Sequence, residues 1–417
     1  MQNGVVESFI KSYEKEYDYY DTLSRIAAQK IDTLLRHAGV RAIVTNRAKD
    51  PERLRAKLIK RETDNKTPYS SADEINSDIW DLAGVRIALY FPSDREKADN
   101  IIKSAFDLIT DIKKFPNSDS DSSLPPYPKR FSGYWANHYR VRFKSESLSS
   151  DQSRYSQARI EIQVASVLMH AWSEVEHDLV YKPLNGELSE EEYSILDELN
   201  GLVMAGEIAL ERLQAAGNAR ITKNKENIFN NQYEVASYLY SKYQARAKNG
   251  GELILGNIDL LYKFMRECQI KSPSDLLPFL KNISLQNNAK SGNTISAQII
   301  DNIISGDEEK YNIFSELRQS QDPIGEEVST AIGDFISEWI HLEQLLSVIS
   351  GLDKSKPLNA NRLKQFINPR DMQLLLEIKS FRNAVVHGEK KPTLIELNEM
   401  IDKTTRLYQT IESKINR

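Results

Sequence analysis

Apolar side chains recur at helical spacing from residue 5 to 38, with Leu23, Ile26, Ala27, Ile31, Leu34 and Leu35 on the repeat and Gly39 as a natural stop. A second helix is expected to open at Asp50-Pro51, because aspartate suits the N-cap, proline the first turn and Glu52 the positive end of the helix dipole. The period then changes. Val85-Arg86-Ile87-Ala88-Leu89-Tyr90 alternates as a strand does, and so do His138 to Phe143 and Arg159 to Val164. In the last of these, Ile160, Ile162 and Val164 face one way while Glu161 and Gln163 face the other. A helix is predicted over Arg95 to Leu108, and the Ser-, Asp- and Pro-rich segment 116–134 is expected to form a surface loop.

After Lys182 the strand pattern fades. Helical spacing resumes over 189–215 (Ile195, Leu199, Leu202, Val203, Ile208, Leu213), 230–283, 294–304 and 327–417, separated by polar stretches at 216–228, 285–293 and 305–325 that read as loops. The expected fold class is α+β, a mixed sheet flanked by helices, followed by an all-α C-terminal half. The boundaries predict three regions: 1–215 with the sheet, 216–326 as a helical connection, and 327–417 as a helical domain. No internal repeat of fixed period is present.

Composition adds limits. With 417 residues, 40% apolar and 28% charged, the chain can bury a core without disulfides or a metal. Cys268 stands alone, which removes an internal disulfide and a cysteine-rich zinc site. No run reaches the ~20 apolar residues that a membrane helix needs. The start, MQNGVVESFI, lacks the layout of an export signal, so no membrane partner and a cytoplasmic location are expected. The net charge of −5 argues against a surface that coats nucleic acid. Locally the balance reverses: Arg41 to Arg61 holds eight basic residues against two acidic ones. Most of these cations fall on the helix predicted after Asp50, with Arg53, Lys57 and Arg61 on one face.

Chemistry converges on the strand-rich part. Asp81 stands where a turn enters a strand, Glu161 lies on the polar face of another, and two carboxylates suit magnesium, which takes few protein ligands and leaves the rest to water and phosphate. Beside a basic helix, such a pair fits phosphoryl or pyrophosphoryl transfer. No Gly-rich phosphate loop is present, so Arg and Lys side chains would have to cradle the phosphates. Gly133-Tyr134-Trp135-Ala136-Asn137-His138-Tyr139 offers either an aromatic platform for a purine or the packed aromatic of a hairpin.

The order of these pieces resembles the synthetase domain of the RelA/SpoT family: Arg47-Ala48-Lys49, Asp81-Leu82-Ala83-Gly84-Val85-Arg86, Gly133-Tyr134 with His138, and Glu161-Ile162-Gln163. The segment from Met169 to His177, closing in Tyr181-Lys182, looks like that family's small alarmone synthetases, and the likeness spans about residues 20–215. It implies a nucleotidyltransferase-like fold and transfer of the β,γ-pyrophosphate of ATP to the 3′-hydroxyl of GDP or GTP, making (p)ppGpp with Mg2+ as cofactor. By position, Asp81 would bind magnesium, and Glu161 would assist it and activate the hydroxyl. Arg47, Lys49 and Lys57 would grip ATP phosphates, with Arg86 on the same side. Tyr134 would stack on guanine and His138 would contact the acceptor.

Arg53 and Ala136-Asn137 depart from the family pattern, which leaves the acceptor open. The alternative is a toxic synthetase that pyrophosphorylates the 3′ end of tRNA, using Lys129-Arg130, Arg140 and Arg142 as a basic path. No metal-dependent hydrolase domain is expected, since the synthetase motifs begin by residue 47.

Near the other end, Phe381-Arg382-Asn383-Ala384-Val385-Val386-His387-Gly388 resembles the Arg-x4-His signature of HEPN domains, helical modules that dimerise and in some members cut RNA. That implies either an RNA-cutting site of Arg382 and His387 or a regulatory, dimerising role, with a homo-oligomer and an antitoxin protein as expected partners. A structural reading pairs Arg382 with Glu377 or Glu338. His170, Glu174 and His177 share a helix; packing is expected there ahead of metal binding, Trp80, Trp172 and Trp339 are expected in core or interface, and Cys268 is expected to be inert.

Overall fold

The computed structural model describes residues 4–65, 67–116, 130–131, 134–148, 150–180, 188–223, 227–247, 253–281, 283–285, 294–305, 307–321, 326–350, 367–386 and 392–415. They divide into two compact units, one of Met1–Arg36 with Val40–Gly217 and one of His37–Gly39 with Asn218–Arg417.

The first unit begins with helices α1 (Gly4–Lys15) and α2 (Tyr17–His37), and the chain leaves α2 through Gly39 at φ +70, a conformation that costs glycine little. Then follow β1 (Ala42–Ala48), the basic helix α3 (Pro51–Asn65), α4 (Ala72–Asp78), β2 (Ala83–Leu89) and α5 (Arg95–Ala105). The short strands β3 (Phe106–Leu108) and β4 (Lys113–Phe115) precede β5 (Ala136–Phe143) and β6 (Ile160–Ser166). Helices α6 (Val167–Val180) and α7 (Glu190–Lys223) end the series.

The sheet runs β1-β2-β6-β5-β3, with β4 also on β5; β2 and β6 are parallel and the other pairs antiparallel. One face is apolar: Val85, Ile87 and Leu89 of β2, Ile160, Ile162 and Val164 of β6 and Tyr139, Val141 and Phe143 of β5 are all buried. Each such side chain contributes about 1.5–3 kcal/mol on leaving water. Buried Tyr139 donates to Asp99 of α5 and Asn46 of β1 donates to Ser24 of α2, so those two helices lie on this face. A smaller cluster joins α1, α3 and α4 around Tyr13, Leu54, Leu58, Ile75 and Leu82.

The structure departs from the expectations in five respects. Strands β1, β3 and β4 were not anticipated, and the helix expected to reach Leu108 stops at Ala105, where Phe106 to Leu108 pair with β5. The helix over 189–215 exists and runs on to Lys223 through the stretch read as a loop, yet its apolar stripe is not its buried face: Leu202, Ile208 and Leu213 are exposed while Leu196, Asp197 and Asn200 are buried. The polar stretch 305–325 holds a helix, because Tyr311 and Phe314 recur at helical spacing and are buried.

The second unit is helical: α8 (Gln232–Ala247), α9 (Ile258–Glu267), α10 (Pro273–Leu276), α11 (Ile295–Ile304), α12 (Glu308–Gln321), α13 (Glu326–Ser350), α14 (Pro369–Val386) and α15 (Leu394–Ile415). One cluster of buried side chains extends from Phe229 to Ile411. No described helix is long and apolar enough to cross a membrane.

Candidate active site

The face of the sheet opposite the apolar one carries the chemistry, and strand register explains why. Arg47, Gly84, Glu161 and Arg140 are successive partners across β1, β2, β6 and β5; Thr45, Arg86, Gln163, His138 and Lys113 form the next row. Partners in register point to one side, so two adjacent rows gather five basic or imidazole groups around one carboxylate. Arg47 packs across Gly84, its Cγ an ordinary 3.7 Å from where a Cβ would stand.

Asp81 joins this face from the turn before β2. Its carboxylate takes Lys57 Nζ at 3.0 Å and also the ammonium of Lys49, which departs from the end of β1. Burial alone would raise the Asp81 carboxyl; the Lys49 and Lys57 charges outweigh it and hold it far below the ordinary carboxylate range. Glu161 accepts from Gln163 Nε2 at 2.9 Å and lies 3.7 Å from His138 Nδ1. There too burial raises the carboxyl, and His138 and Gln163 bring it below its usual value while the Asp81 charge opposes them. The side chains of Asp81, Lys49, Glu161 and His138 are 12–14% exposed, largely shielded from bulk water.

Burial lowers Arg47, and the nearby Arg86 charge adds to that effect. Arg86 itself is held 2.5 Å from Glu174 of α6, with its Nε buried and unbonded. Tyr134 lies beside His138, ring centroids 6.0 Å apart, and Phe115 closes the group at 4.7 Å from His138. Burial pushes the Tyr134 phenol up to about 12, so it stays neutral. Two structural contacts hold the chain just before it: the Arg130 and Phe131 amides donate to buried Asp197 of α7 at 2.9 and 3.2 Å, and the Phe131 ring fills the space over Gly201.

All eight residues expected in the synthetase site lie on or beside this face. Sequence reasoning gave no site role to Lys113, Phe115 or Asp197; it placed Gln163 only as part of the Glu161-Ile162-Gln163 motif and Glu174 only in a helix with His170 and His177. Trp80, expected in core or interface, is half-buried and receives the guanidinium carbons of Arg140 at 4.6 Å and Arg159 at 4.8 Å. Much of the basic helix is structural, with Arg55 bonded to Glu7 and Glu52 and Arg61 to Asp78. His170 meets the Ile87 carbonyl at 3.1 Å, and burial lowers its pKa, which agrees with a packing role. Among the described residues no group of three or more His, Cys, Asp or Glu is arranged to hold a metal. Gly133, Lys129, Tyr181, Lys182, Gly388 and His387 lie outside the described residues, as does the His177 side chain.

Residues 46–185 match the family described as the region found in RelA/SpoT proteins. That segment is a RelA/SpoT domain. Every group around Asp81 and Glu161 named above, from Arg47 to Glu174, falls within the RelA/SpoT domain, while Asp197 lies beyond it. The chain is also similar to the GTP pyrophosphokinase YwaC of Bacillus subtilis (strain 168), at 28% identity over 188 residues, 45% of this chain and 78% of that protein. Among solved structures, a GTP pyrophosphokinase family protein from Streptococcus pneumoniae aligns over 49% of this chain and 94% of its own, with 19% identity and a TM-score of 0.38. The small alarmone synthetase 1 of Bacillus subtilis bound to its product pppGpp aligns over 50% and 96%, with 20% identity and a TM-score of 0.36.

In the second unit, Arg382 of α14 is buried and ion-paired with Asp301 of α11, next to Glu343 of α13 and Tyr311 of α12. The partners suggested from sequence are engaged elsewhere, Glu377 with Lys403 and Glu338 with Thr405. Cys268 is half-buried, and burial pushes its thiol up to about 11, far from a reactive thiolate.

Proposed function

We propose that the RelA/SpoT domain transfers the β,γ-pyrophosphate of ATP to the 3′-hydroxyl of GDP or GTP, breaking the α–β anhydride bond and releasing AMP as (p)ppGpp forms. The observation that carries this reading is the pair of carboxylates, Asp81 under two lysines and Glu161 beside His138 and Gln163, on one polar sheet face with Arg47 and Arg86. Lys49, Lys57 and Arg47 would hold ATP phosphates, Glu161 would take the proton from the acceptor 3′-hydroxyl, and the acceptor's guanine base would stack near Tyr134. The donor set suits magnesium: two carboxylates held below their usual pKa, with no cluster of three or more His, Cys, Asp or Glu among the described residues, would leave positions for water and phosphate oxygens once phosphate draws Lys49 and Lys57 from Asp81. Bound at Asp81 and Glu161, magnesium would neutralise phosphate charge and lower the hydroxyl pKa, which a carboxylate of depressed basicity needs.

Of the basic residues named for the RNA alternative, Arg140 is engaged on Trp80, while Arg142 is half-exposed in a surface pair with Asp107 at 3.7 Å. The test is incubation of the pure chain with labelled ATP, magnesium and GDP, GTP or deacylated tRNA. A labelled guanosine product that Glu161→Gln reduces at least about 100-fold is expected. Label confined to tRNA would replace the acceptor, and no transfer to any of the three would overturn the reading.

A further inference from the structure

We infer that Tyr13 is a positioning residue for the ATP side of the site, acting through the backbone that carries Lys49 and Asp81. The β1/β2 ladder ends at the pair Ala48 and Ala83, and one further bond, Lys49 N to the Leu82 carbonyl at 3.0 Å, extends it. From this frayed end both chains leave the sheet, one with Lys49 and the other with Asp81. The Tyr13 hydroxyl, arriving from α1, donates to the Lys49 carbonyl at 2.6 Å and lies 3.5 Å from the Leu82 carbonyl. It therefore closes the ladder where strand pairing has run out.

The ring that presents this hydroxyl cannot wander. It is 2% exposed, packed with Val6, Phe9 and Ile10 of its own helix and with Leu54, Leu58, Ile75 and Leu82. Leu54 and Leu58 belong to α3, which carries Lys57, and Ile75 to α4, which leads to Asp81. One side chain thus ties together the three segments whose polar groups meet at the Asp81 carboxylate. Losing the hydroxyl leaves a backbone carbonyl without that donor and lets Lys49 shift against Asp81, and a small displacement of a phosphate-holding cation lowers rate more than it lowers stability.

The proposal rests on the reading of Lys49, Lys57 and Asp81 as the ATP phosphate site. Tyr13→Phe in the full chain keeps the ring and removes only the hydroxyl. Steady-state pyrophosphate transfer, binding of a non-hydrolysable ATP analogue by calorimetry, and thermal unfolding are measured for wild type, Tyr13→Phe and the control Tyr20→Phe, whose ring packs 5.1 Å from that of Tyr13. In Tyr13→Phe, kcat/KM for ATP is expected to fall about 3- to 10-fold and analogue binding to weaken, with the acceptor KM within twofold of wild type and Tyr20→Phe unchanged. A Tyr13→Phe enzyme with altered thermal stability but unaltered ATP parameters, or with equal losses on ATP and acceptor, overturns the positioning role and leaves the function reading standing. A wild-type chain that neither transfers pyrophosphate nor binds the analogue removes the function reading and the proposal with it.

Discussion

Replacing Asp81 by asparagine keeps the side-chain shape and deletes one negative charge from the centre of the site. In the wild type that charge accepts hydrogen bonds from Lys49 and Lys57 and is felt by Arg47. Each charge-assisted bond contributes about 1.5–3 kcal/mol, so the local cost is of order 3–6 kcal/mol before relaxation. The same deletion makes the cationic cluster one unit more positive. For a phosphate oxygen about 6 Å away, a unit charge at an effective dielectric of ~20–40 is worth about 1–3 kcal/mol, or roughly tenfold or more in affinity. The variant is therefore expected to diverge in two assays. Magnesium-dependent transfer should fall at least about 1000-fold with loss of the carboxylate donor. Calorimetric binding of ATP in EDTA should tighten about tenfold, and that gain should shrink as salt rises. An Asp81→Asn enzyme that retains transfer within tenfold, or that binds metal-free ATP more weakly than wild type, refutes the electrostatic account.

Asp301→Ala strands the Arg382 charge inside the second unit and should cost about 3–5 kcal/mol, read as faster hydrogen exchange in α11 and α14, whereas replacing both partners by apolar residues should cost far less. Equal effects of the single and double changes would argue against a buried ion pair. Burial raises the Glu343 carboxyl, against the pull of Arg382, so its protonated form favours the folded state: that stability is complete below the unfolded pKa and disappears as pH rises through the folded one. Glu343→Gln should therefore raise the unfolding temperature at pH 7 and match wild type near pH 4; a variant less stable at pH 7 contradicts this. Tyr134→Ala should raise the acceptor KM by the ~1–3 kcal/mol of a lost base stack, while Tyr134→Phe stays near wild type, and a similar loss in both would assign the role to the hydroxyl.

Local chemistry made much of this molecule readable from the chain. The β6 alternation put Glu161 and Gln163 on the polar side because a strand has a period of two, and Asp50-Pro51-Glu52 marked the start of α3 because capping and dipole effects act within one turn. Ordered motifs located Asp81 and Glu161 before any coordinates. Other features depend on partners distant in sequence. β1 was hidden by the basic residues around it, since its identity comes from pairing with β2, and β3 is a strand only because β5 lies beside it. Whether a cation serves the site or the scaffold is likewise decided by distant carboxylates: Lys57 meets Asp81, while Arg61, one turn on, meets Asp78. The α7 stripe was legible as helix but not as exposed, and the partner of Arg382 could not be found from spacing, because Asp301 reaches it only once α11 and α14 pack into one core. Periodicity is a property of neighbouring residues and survives in the chain; burial and charge pairing are properties of distant ones, and they exist only after folding brings those residues together.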